Sequence, residues 1–171
     1  VTSAGTIARD GQSMDPLSAA EGERLGVDDV AAHRSRRLRQ RMIEEADLII
    51  ALAAEHRSEV VGLVPTALPR TFTLLELARL VRHVAGDSDA PSAIEDGLGL
   101  PALVRATVHR AARSRSVLAM HPDTIDVQDP IGLGPEVHRR SAESIAHAVR
   151  EVVDGLVDRE GRRPRSGSSS T

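Results

Sequence analysis

The segment Asp126-Val127-Gln128-Asp129-Pro130 places two carboxylates on a predicted loop before the last predicted helix. A residue that precedes proline is held out of the right-handed helical region, toward extended geometry. Asp129 should therefore project its carboxylate from a stiffened backbone, which suits a positioned general acid. The same residue could instead be an ordinary turn aspartate or an N-terminal cap of the following helix. The residue pattern alone leaves these alternatives open.

Composition excludes several other kinds of site. The chain has no cysteine, which excludes disulfides, zinc–thiolate sites, iron–sulfur clusters and a thiol nucleophile within it. It has no glycine-rich loop of the P-loop or dinucleotide-binding type. The seven histidines form no His-x-x-x-His pair, so we predict neither a metal site nor a cofactor. Six of them are interpreted as surface or half-buried residues: His33, His56, His83, His109, His138 and His147.

Charge and hydropathy narrow the function classes further. Of the 171 residues, 22 are cationic, all of them arginine, and 25 are acidic, which gives a formal charge of −3. This slight acidic excess argues against nucleic acid as the main partner. No apolar run approaches the ~20 residues that a membrane helix needs, and the first residues do not form a secretory signal. We therefore expect a cytoplasmic protein that does not bind membranes.

The predicted elements around the acid segment alternate between helices and strands. Residues 1–4 lead into a strand end at Gly5, Asp15-Pro16 predicts a helix start, and Gly26 predicts its end. The apolar run 48–52 is typical of a strand buried on both faces of a parallel sheet. Apolar spacing predicts further helices over 34–46, 55–63, 73–85, 101–114 and 135–157, and a second short strand over 66–70.

This alternation predicts an α/β domain with a parallel sheet over residues 1–157. Its core must be aliphatic, because Phe72 is the single aromatic residue. Residues 86–99 and 123–134 are predicted loops. Residues 158–171, rich in Arg, Ser and Gly, are predicted to form a disordered polar tail.

Short motifs occur in a consistent order along residues 1–157. They are Ser3-Ala4-Gly5-Thr6, Gly11, Asp15-Pro16, Leu25-Gly26 with Asp28, His33, Arg36 with Leu38, Ala46-Asp47-Leu48-Ile49-Ile50, Glu55-His56-Arg57, Arg70-Thr71-Phe72-Thr73-Leu74 with Glu76-Leu77, and the acid segment 126–130. The ordered series resembles the low-molecular-weight protein tyrosine phosphatases, especially their actinobacterial members.

The resemblance implies a phosphotyrosine phosphatase I-like fold, a Rossmann- or flavodoxin-like parallel sheet of four strands with helices on both faces. It also implies a protein-tyrosine or phosphomonoester phosphatase that acts through a phosphocysteine intermediate on phosphorylated proteins or small phosphomonoesters. Asp129 matches the general acid and base of the family's Asp-Pro loop. Ser3 matches a serine whose hydroxyl supports the phosphate-binding loop from beneath.

The chain departs from the family pattern at the nucleophile. The family carries a Cys-x5-Arg-Ser/Thr loop between its first strand and first helix, and no segment here matches it. Since the Ser-Ala-Gly-Thr motif begins at Ser3, we expect the first, central strand, the phosphate-binding loop and the first helix to be missing. The chain is then a fragment, inactive as given. Loss of a central strand leaves backbone groups unpaired, so we predict poor stability or altered strand pairing.

Other functions are left open by these departures. Ile131 and Gly132 follow Pro130, and Arg9 and Asp10 follow the Ser-Ala-Gly-Thr motif, where the family usually has aromatic side chains, so tyrosine specificity is in doubt. One alternative is a catalytically dead interaction module of the same fold. Others are an arsenate reductase-like protein, disfavoured by the absence of thiols, and an unrelated α/β binding protein in which Asp129-Pro130 is only a turn.

Overall fold

The computed structural model describes residues 1–85, 100–116 and 125–157. Within these ranges the chain forms six α-helices, two strands and three short 3-10 helices. The α-helices are α1 (Pro16–Arg24), α2 (Gln40–Glu44), α3 (Ala54–Leu63), α4 (Leu74–Ala85), α5 (Leu100–Arg113) and α6 (Pro135–Val157). The strands are β1 (Ile49–Ala51) and β2 (Thr71–Thr73), and the 3-10 helices are Val30–Ala32, Pro65–Arg70 and Ser114–Ser116.

The two strands pair in parallel, with Ile49 opposite Thr71, Ile50 opposite Phe72 and Ala51 opposite Thr73. A separate parallel bridge joins Gly5 to Arg37. The expected α/β class with a parallel sheet is therefore confirmed. In the described part of the chain β1 has β2 as its one strand partner, which is consistent with the expected lack of a central strand.

Side chains alternate between the two faces of this small sheet. Phe72 belongs to a large aliphatic cluster formed mainly by α4, α5 and α6, against which Leu48 packs. Ile49 packs on the opposite cluster, which contains Ile43 from α2 and Val60 from α3. Both faces are therefore covered by helices, as a parallel sheet requires.

The prediction of a helix over 34–46 is wrong for its first half. Helix α2 covers only Gln40–Glu44, and the preceding residues are extended. The Gly5 amide donates to the Arg36 carbonyl at 2.9 Å, and the Leu38 amide donates to the Gly5 carbonyl at 2.9 Å. These hydrogen bonds to a distant segment replace the helical ones, an outcome that local spacing does not predict.

The predicted strand over 66–70 is also wrong. Residues Pro65–Arg70 form a 3-10 helix that begins at a proline, and the strand is the next segment, Thr71–Thr73. The Thr71 hydroxyl donates to the Ala67 carbonyl at 2.8 Å, which ties the turn to the strand. The β-branched and aromatic residues of β2 favour extended structure.

Other local predictions are confirmed. Asp15 caps α1, since its Oδ1 accepts from the amides of Leu17 at 3.0 Å and Ser18 at 3.1 Å. Gly26, at φ 75°, follows the helix end in the left-handed region that glycine tolerates. Residues 86–99, 123–124 and 158–171 lie outside the described residues. Among the described helices none is long and apolar enough to cross a membrane.

Candidate acid loop at the end of β1

The acid segment is fixed to the carboxyl end of β1. The Val127 amide donates to the Leu52 carbonyl at 2.8 Å. Asp126 accepts from the Ala54 amide at 2.8 Å through its Oδ1, so its carboxylate satisfies a free N–H group in the first turn of α3. Asp126 is therefore a helix-capping residue, and its carboxylate is engaged in a hydrogen bond at the start of α3.

The other side of the segment is held by α6. The Ser141 hydroxyl donates to the Gln128 carbonyl at 2.8 Å. Ile125 and Val127 are buried, so the segment turns two apolar side chains inward. The backbone immediately before Asp129 is thus held at Val127 by Leu52 and at Gln128 by Ser141.

Asp129 itself is exposed. Its Oδ1 accepts from the Ile131 amide at 3.0 Å, which is the geometry of an aspartate-initiated turn. The second carboxylate oxygen has no hydrogen-bond partner among the residues that the structure covers. The turn therefore orients Asp129 while leaving one oxygen available for proton transfer.

The location of this carboxylate is chemically informative. In open parallel α/β sheets, ligands bind beyond the carboxyl ends of the strands. The hydrogen bond to Leu52 places the acid segment at that end of β1. The same region exposes apolar surface, with Ile50 at 44% and Leu52 at 41% exposure.

Ser3 lies away from these contacts. It is exposed, and its side chain makes no hydrogen bond within the described ranges. Although the adjacent Gly5 is anchored to 36–38, no contact joins Ser3 to the acid segment. Its supporting role depends on the resemblance, and Asp129 alone of the two has a defined geometry here.

A charged network at the end of β2 was missed by the sequence interpretation. Glu76, only 4% exposed, pairs with Arg57 Nη1 at 3.1 Å and with Arg115 Nε at 2.9 Å. Arg115 also donates to the Thr71 carbonyl, and its guanidinium carbon lies 4.1 Å from the Phe72 ring centre. Arg57 stands on α3, so this network fixes the helix that the acid segment caps.

The position of Glu76 in this network was predictable from the sequence. Thr73 and Glu76 have the spacing of a capping box. The Glu76 amide donates to the Thr73 hydroxyl at 3.3 Å, and the Thr73 amide donates to Glu76 Oε2 at 3.2 Å. No pattern in the sequence indicated the two arginines, because α3 and the segment after α5 are distant along the chain.

No cluster of three or more potential metal-ligating side chains occurs in residues 1–85, 100–116 and 125–157. The interpretation of His138 as a surface or half-buried residue is wrong, since the side chain is buried, at 2% exposure. Its Nδ1 lies 3.1 Å from the Ser18 hydroxyl and 3.7 Å from Asp15 Oδ1. These contacts join α6 to the start of α1 and give His138 a structural role.

Comparisons with known proteins give a family for the first part of the chain and similar folds for most of it. The low molecular weight phosphotyrosine protein phosphatase family model matches residues 1–96. An arginine phosphatase, YwlE from Geobacillus stearothermophilus, is similar in structure, with a TM-score of 0.60 and 20% identity over 95% of this chain and 78% of that one. A low molecular weight protein tyrosine phosphatase from T. tengcongensis gives 0.58 and 19%, over 90% and 75%. No curated protein matches the chain.

Proposed function

Because the chain belongs to the low molecular weight phosphotyrosine protein phosphatase family, we propose that it provides the acid-bearing part of a phosphatase. Asp129 is the general acid and base, and Ser3 supports the phosphate-binding loop. The observation that carries the proposal is the placement of the acid segment. It is fixed to β1 through Leu52, to α3 through Ala54 and to α6 through Ser141, and it leaves the Asp129 carboxylate exposed.

The chemistry that Asp129 performs has two steps. A cysteine thiolate attacks phosphorus, and the protonated Asp129 carboxyl gives its proton to the leaving oxygen as the P–O bond breaks. The resulting carboxylate then takes a proton from the water that attacks the phosphocysteine, which releases phosphate and the thiolate. A single well-oriented carboxylate suffices for both transfers.

This chain has no cysteine to perform the first attack. We propose that the nucleophile belongs to a strand–loop–helix unit with the sequence Cys-x5-Arg-Ser/Thr, seated against the exposed edge of β1. Residues 1–157 are then the scaffold of one domain, with 158–171 as a polar tail. By itself the chain should show no thiol-dependent phosphatase activity.

The proposed substrates are phosphorylated proteins or small phosphomonoesters in the cytoplasm. Ile131 and Arg9 stand where the family usually has aromatic side chains, so neither position supplies an aromatic ring to stack on a phenol. The structural neighbours include both an arginine phosphatase and a tyrosine phosphatase. Phosphoarginine and phosphotyrosine peptides are therefore both appropriate substrates for a test.

The experiment joins a strand–loop–helix unit from a complete family member to Val1 and measures hydrolysis of p-nitrophenyl phosphate. In that protein Asp129→Asn should lower turnover by about 10²–10⁴-fold. Asp126→Asn is the matched control, because the amide keeps an oxygen that can accept from Ala54 while removing the same charge. An unchanged rate in Asp129→Asn, or an equal loss in both variants, would reject Asp129 as the acid.

A second candidate is a catalytically inactive interaction module of the same fold, which the absence of cysteine favours. Translation of the genomic DNA upstream of the Val1 codon separates the two candidates. An in-frame Cys-x5-Arg-Ser/Thr motif supports the phosphatase. A start codon without that motif supports the interaction module.

A further inference from the structure

Arginine is concentrated in one short segment that leads into the first turn of α2. Five of the eight residues from 34 to 41 are arginine, although the chain as a whole has a formal charge of −3. All five are exposed. Arg9, also exposed, stands on the segment that pairs with this one. The local charge is thus opposite to the charge of the whole molecule.

The segments that carry these arginines are tied together firmly. Besides the hydrogen bonds of Gly5 with 36 and 38, the Gly11 amide donates to the Ser35 carbonyl at 2.8 Å, and the Ser35 amide donates to the Gln12 carbonyl at 2.8 Å. The Ser35 hydroxyl donates to the Arg9 carbonyl at 2.5 Å. Residues 5–12 and 33–41, which we call the arginine platform, therefore present their side chains from a fixed backbone.

Three of the platform's six arginines are engaged in ion pairs or hydrogen bonds within the chain. Arg39 pairs with Asp10 at 2.7 Å and Arg41 with Glu45 at 2.6 Å, while Arg34 donates to the Ala31 carbonyl at 2.8 Å. The hydrogen bonds from the Arg37 backbone amide and the Arg39 guanidinium lower the pKa of Asp10 below its ordinary value. Asp10 therefore stays ionised and committed to the platform.

The other three arginines of the platform are Arg9, Arg36 and Arg37. The guanidinium groups of Arg9, Arg36 and Arg37 form no hydrogen bond or close ion pair with any residue that the structure describes, although the charge of Arg37 also contributes to lowering the pKa of Asp10. A guanidinium binds a carboxylate through two parallel hydrogen bonds. Arginines on a fixed backbone lose less conformational entropy when they bind than arginines on a flexible segment would.

Arg37, one of these three cations, lines a cavity of about 370 Å³ together with Thr6, Leu38, Glu59, Gly62 and Leu63. Leu63 is 51% exposed, and no Cβ contact would be made within 4 Å at Gly62. The cavity therefore offers aliphatic surface next to a free guanidinium. A partner with carboxylates and one aliphatic side chain matches both features.

Nucleic acid matches them less well. Single-stranded nucleic acid is usually held by stacking on exposed aromatic side chains, and the chain has no Trp or Tyr and a single Phe, Phe72, which is fully buried. Glu59 in the cavity disfavours any anion there, so the carboxylates of a partner would lie on the arginines and its aliphatic side chain in the cavity. The aliphatic lining provides nothing that a sugar–phosphate backbone needs.

We propose that the arginine platform docks an extended acidic segment of a partner protein. Carboxylates of that segment pair with Arg9, Arg36 and Arg37, and a leucine or valine side chain enters the neighbouring cavity. This binding uses neither Asp129 nor a cysteine, so a binding experiment with the chain itself tests it separately from phosphatase activity.

Binding can be measured with the purified chain and a labelled eight-residue peptide of six glutamates and two leucines, followed by fluorescence anisotropy. Arg36→Glu combined with Arg37→Glu should weaken binding by about tenfold or more, because two attractive charges become repulsive. Arg105→Glu combined with Arg150→Glu is the matched control, since both arginines are exposed on other helices and the net charge changes equally. The control should bind as the unchanged chain does.

Two further arms separate the cavity from the charges. Leu63→Ser should reduce the preference for the leucine-containing peptide over an all-glutamate peptide, with circular dichroism showing an unchanged fold. A thymidine octanucleotide should bind more weakly than the peptide. The proposal is overturned by no binding of the peptide at ~1 mM, by equal losses in both double variants, by tighter binding of the oligonucleotide, or by an unchanged peptide preference in Leu63→Ser.

Discussion

The carboxyl ends of the two neighbouring strands differ sharply. At the end of β2, Phe72 and Thr73 are fully buried, and Glu76 is held by two arginines. At β1, Ile50 is 44% exposed although it pairs with the fully buried Phe72. The first end is closed by its own helices, while the second leaves an apolar strand edge and the acid loop exposed.

The two ends differ in how far the chain's own residues satisfy polar groups and cover apolar side chains. Around β2, polar groups satisfy one another and apolar side chains are covered, so the structure gains stability from its own residues. Around β1, apolar side chains are exposed beside a positioned carboxylate. The exposed region is the one that the proposed nucleophile-bearing unit would cover.

The largest expected effect concerns unfolding of the whole chain. Since one region is closed and the other open, we expect urea to unfold them separately, so that circular dichroism shows no single cooperative transition. A sharp transition near that of a complete family member would contradict the comparison, because it would show that the open edge costs no stability.

The next effect targets the closed end. Glu76→Ala leaves the Arg57 and Arg115 guanidiniums without their carboxylate and removes half of the capping box. We expect the region around β2 to lose ~3–5 kcal/mol of stability, measured as a lower midpoint for the part of the thermal transition that this region contributes to circular dichroism. Glu59→Ala on the exposed surface of α3 should change the midpoint little. Equal shifts in the two variants would break the comparison.

A pair of glycines tests packing in the two regions. A Cβ at Gly155 in α6 would overlap the Val81 side chain of α4, so Gly155→Ala should destabilise the protein by about 1–3 kcal/mol. A Cβ at Gly62 in α3 meets nothing within 4 Å. Gly62→Ala should therefore stabilise the protein by about 0.5–1 kcal/mol. Thermal unfolding of both variants checks the signs, and a stabilising Gly155→Ala would contradict the close contact of α4 and α6.

The smallest expected effect concerns Asp10 on the arginine platform. The Arg37 amide and the Arg39 guanidinium lower its pKa from the ordinary 3.8. A carboxyl group with a lowered folded-state pKa stabilises the folded form above its unfolded pKa, and that contribution is lost as pH falls through the folded value. Carbon-13 NMR titration should show the lowered midpoint in the intact chain and a return toward 3.8 in Arg39→Ala. An identical midpoint in both would contradict the assigned cause.

The ends of α1 and the α/β class were predictable from the sequence, whereas the pairing of particular segments was not. Asp15-Pro16 and Gly26 correctly marked the ends of α1, because capping depends on adjacent residues. The helix expected over 34–46 was wrong for its first half, because its backbone bonds with Gly5 instead of with itself. Whether these residues form a helix or pair with Gly5 depends on which distant segments come into contact, and local spacing does not show that.

The candidate site shows the same limit. The Asp-Pro dipeptide and the ordered motifs identified Asp129 as a candidate, and the identity of its anchors depended on the structure. Asp126, which the sequence pattern did not distinguish from a second acid, caps α3. Ser141, which no motif indicated, holds the segment from α6.

We propose that the chain keeps the acid and its scaffold, while the attacking thiolate comes from another segment. The most direct test measures phosphate release from p-nitrophenyl phosphate by the chain alone, by the chain joined to a strand–loop–helix unit with cysteine, and by the same fusion with serine in place of that cysteine. The account predicts activity in the cysteine fusion and none in the other two. Turnover by the chain alone, or a folded cysteine fusion without activity, would contradict it.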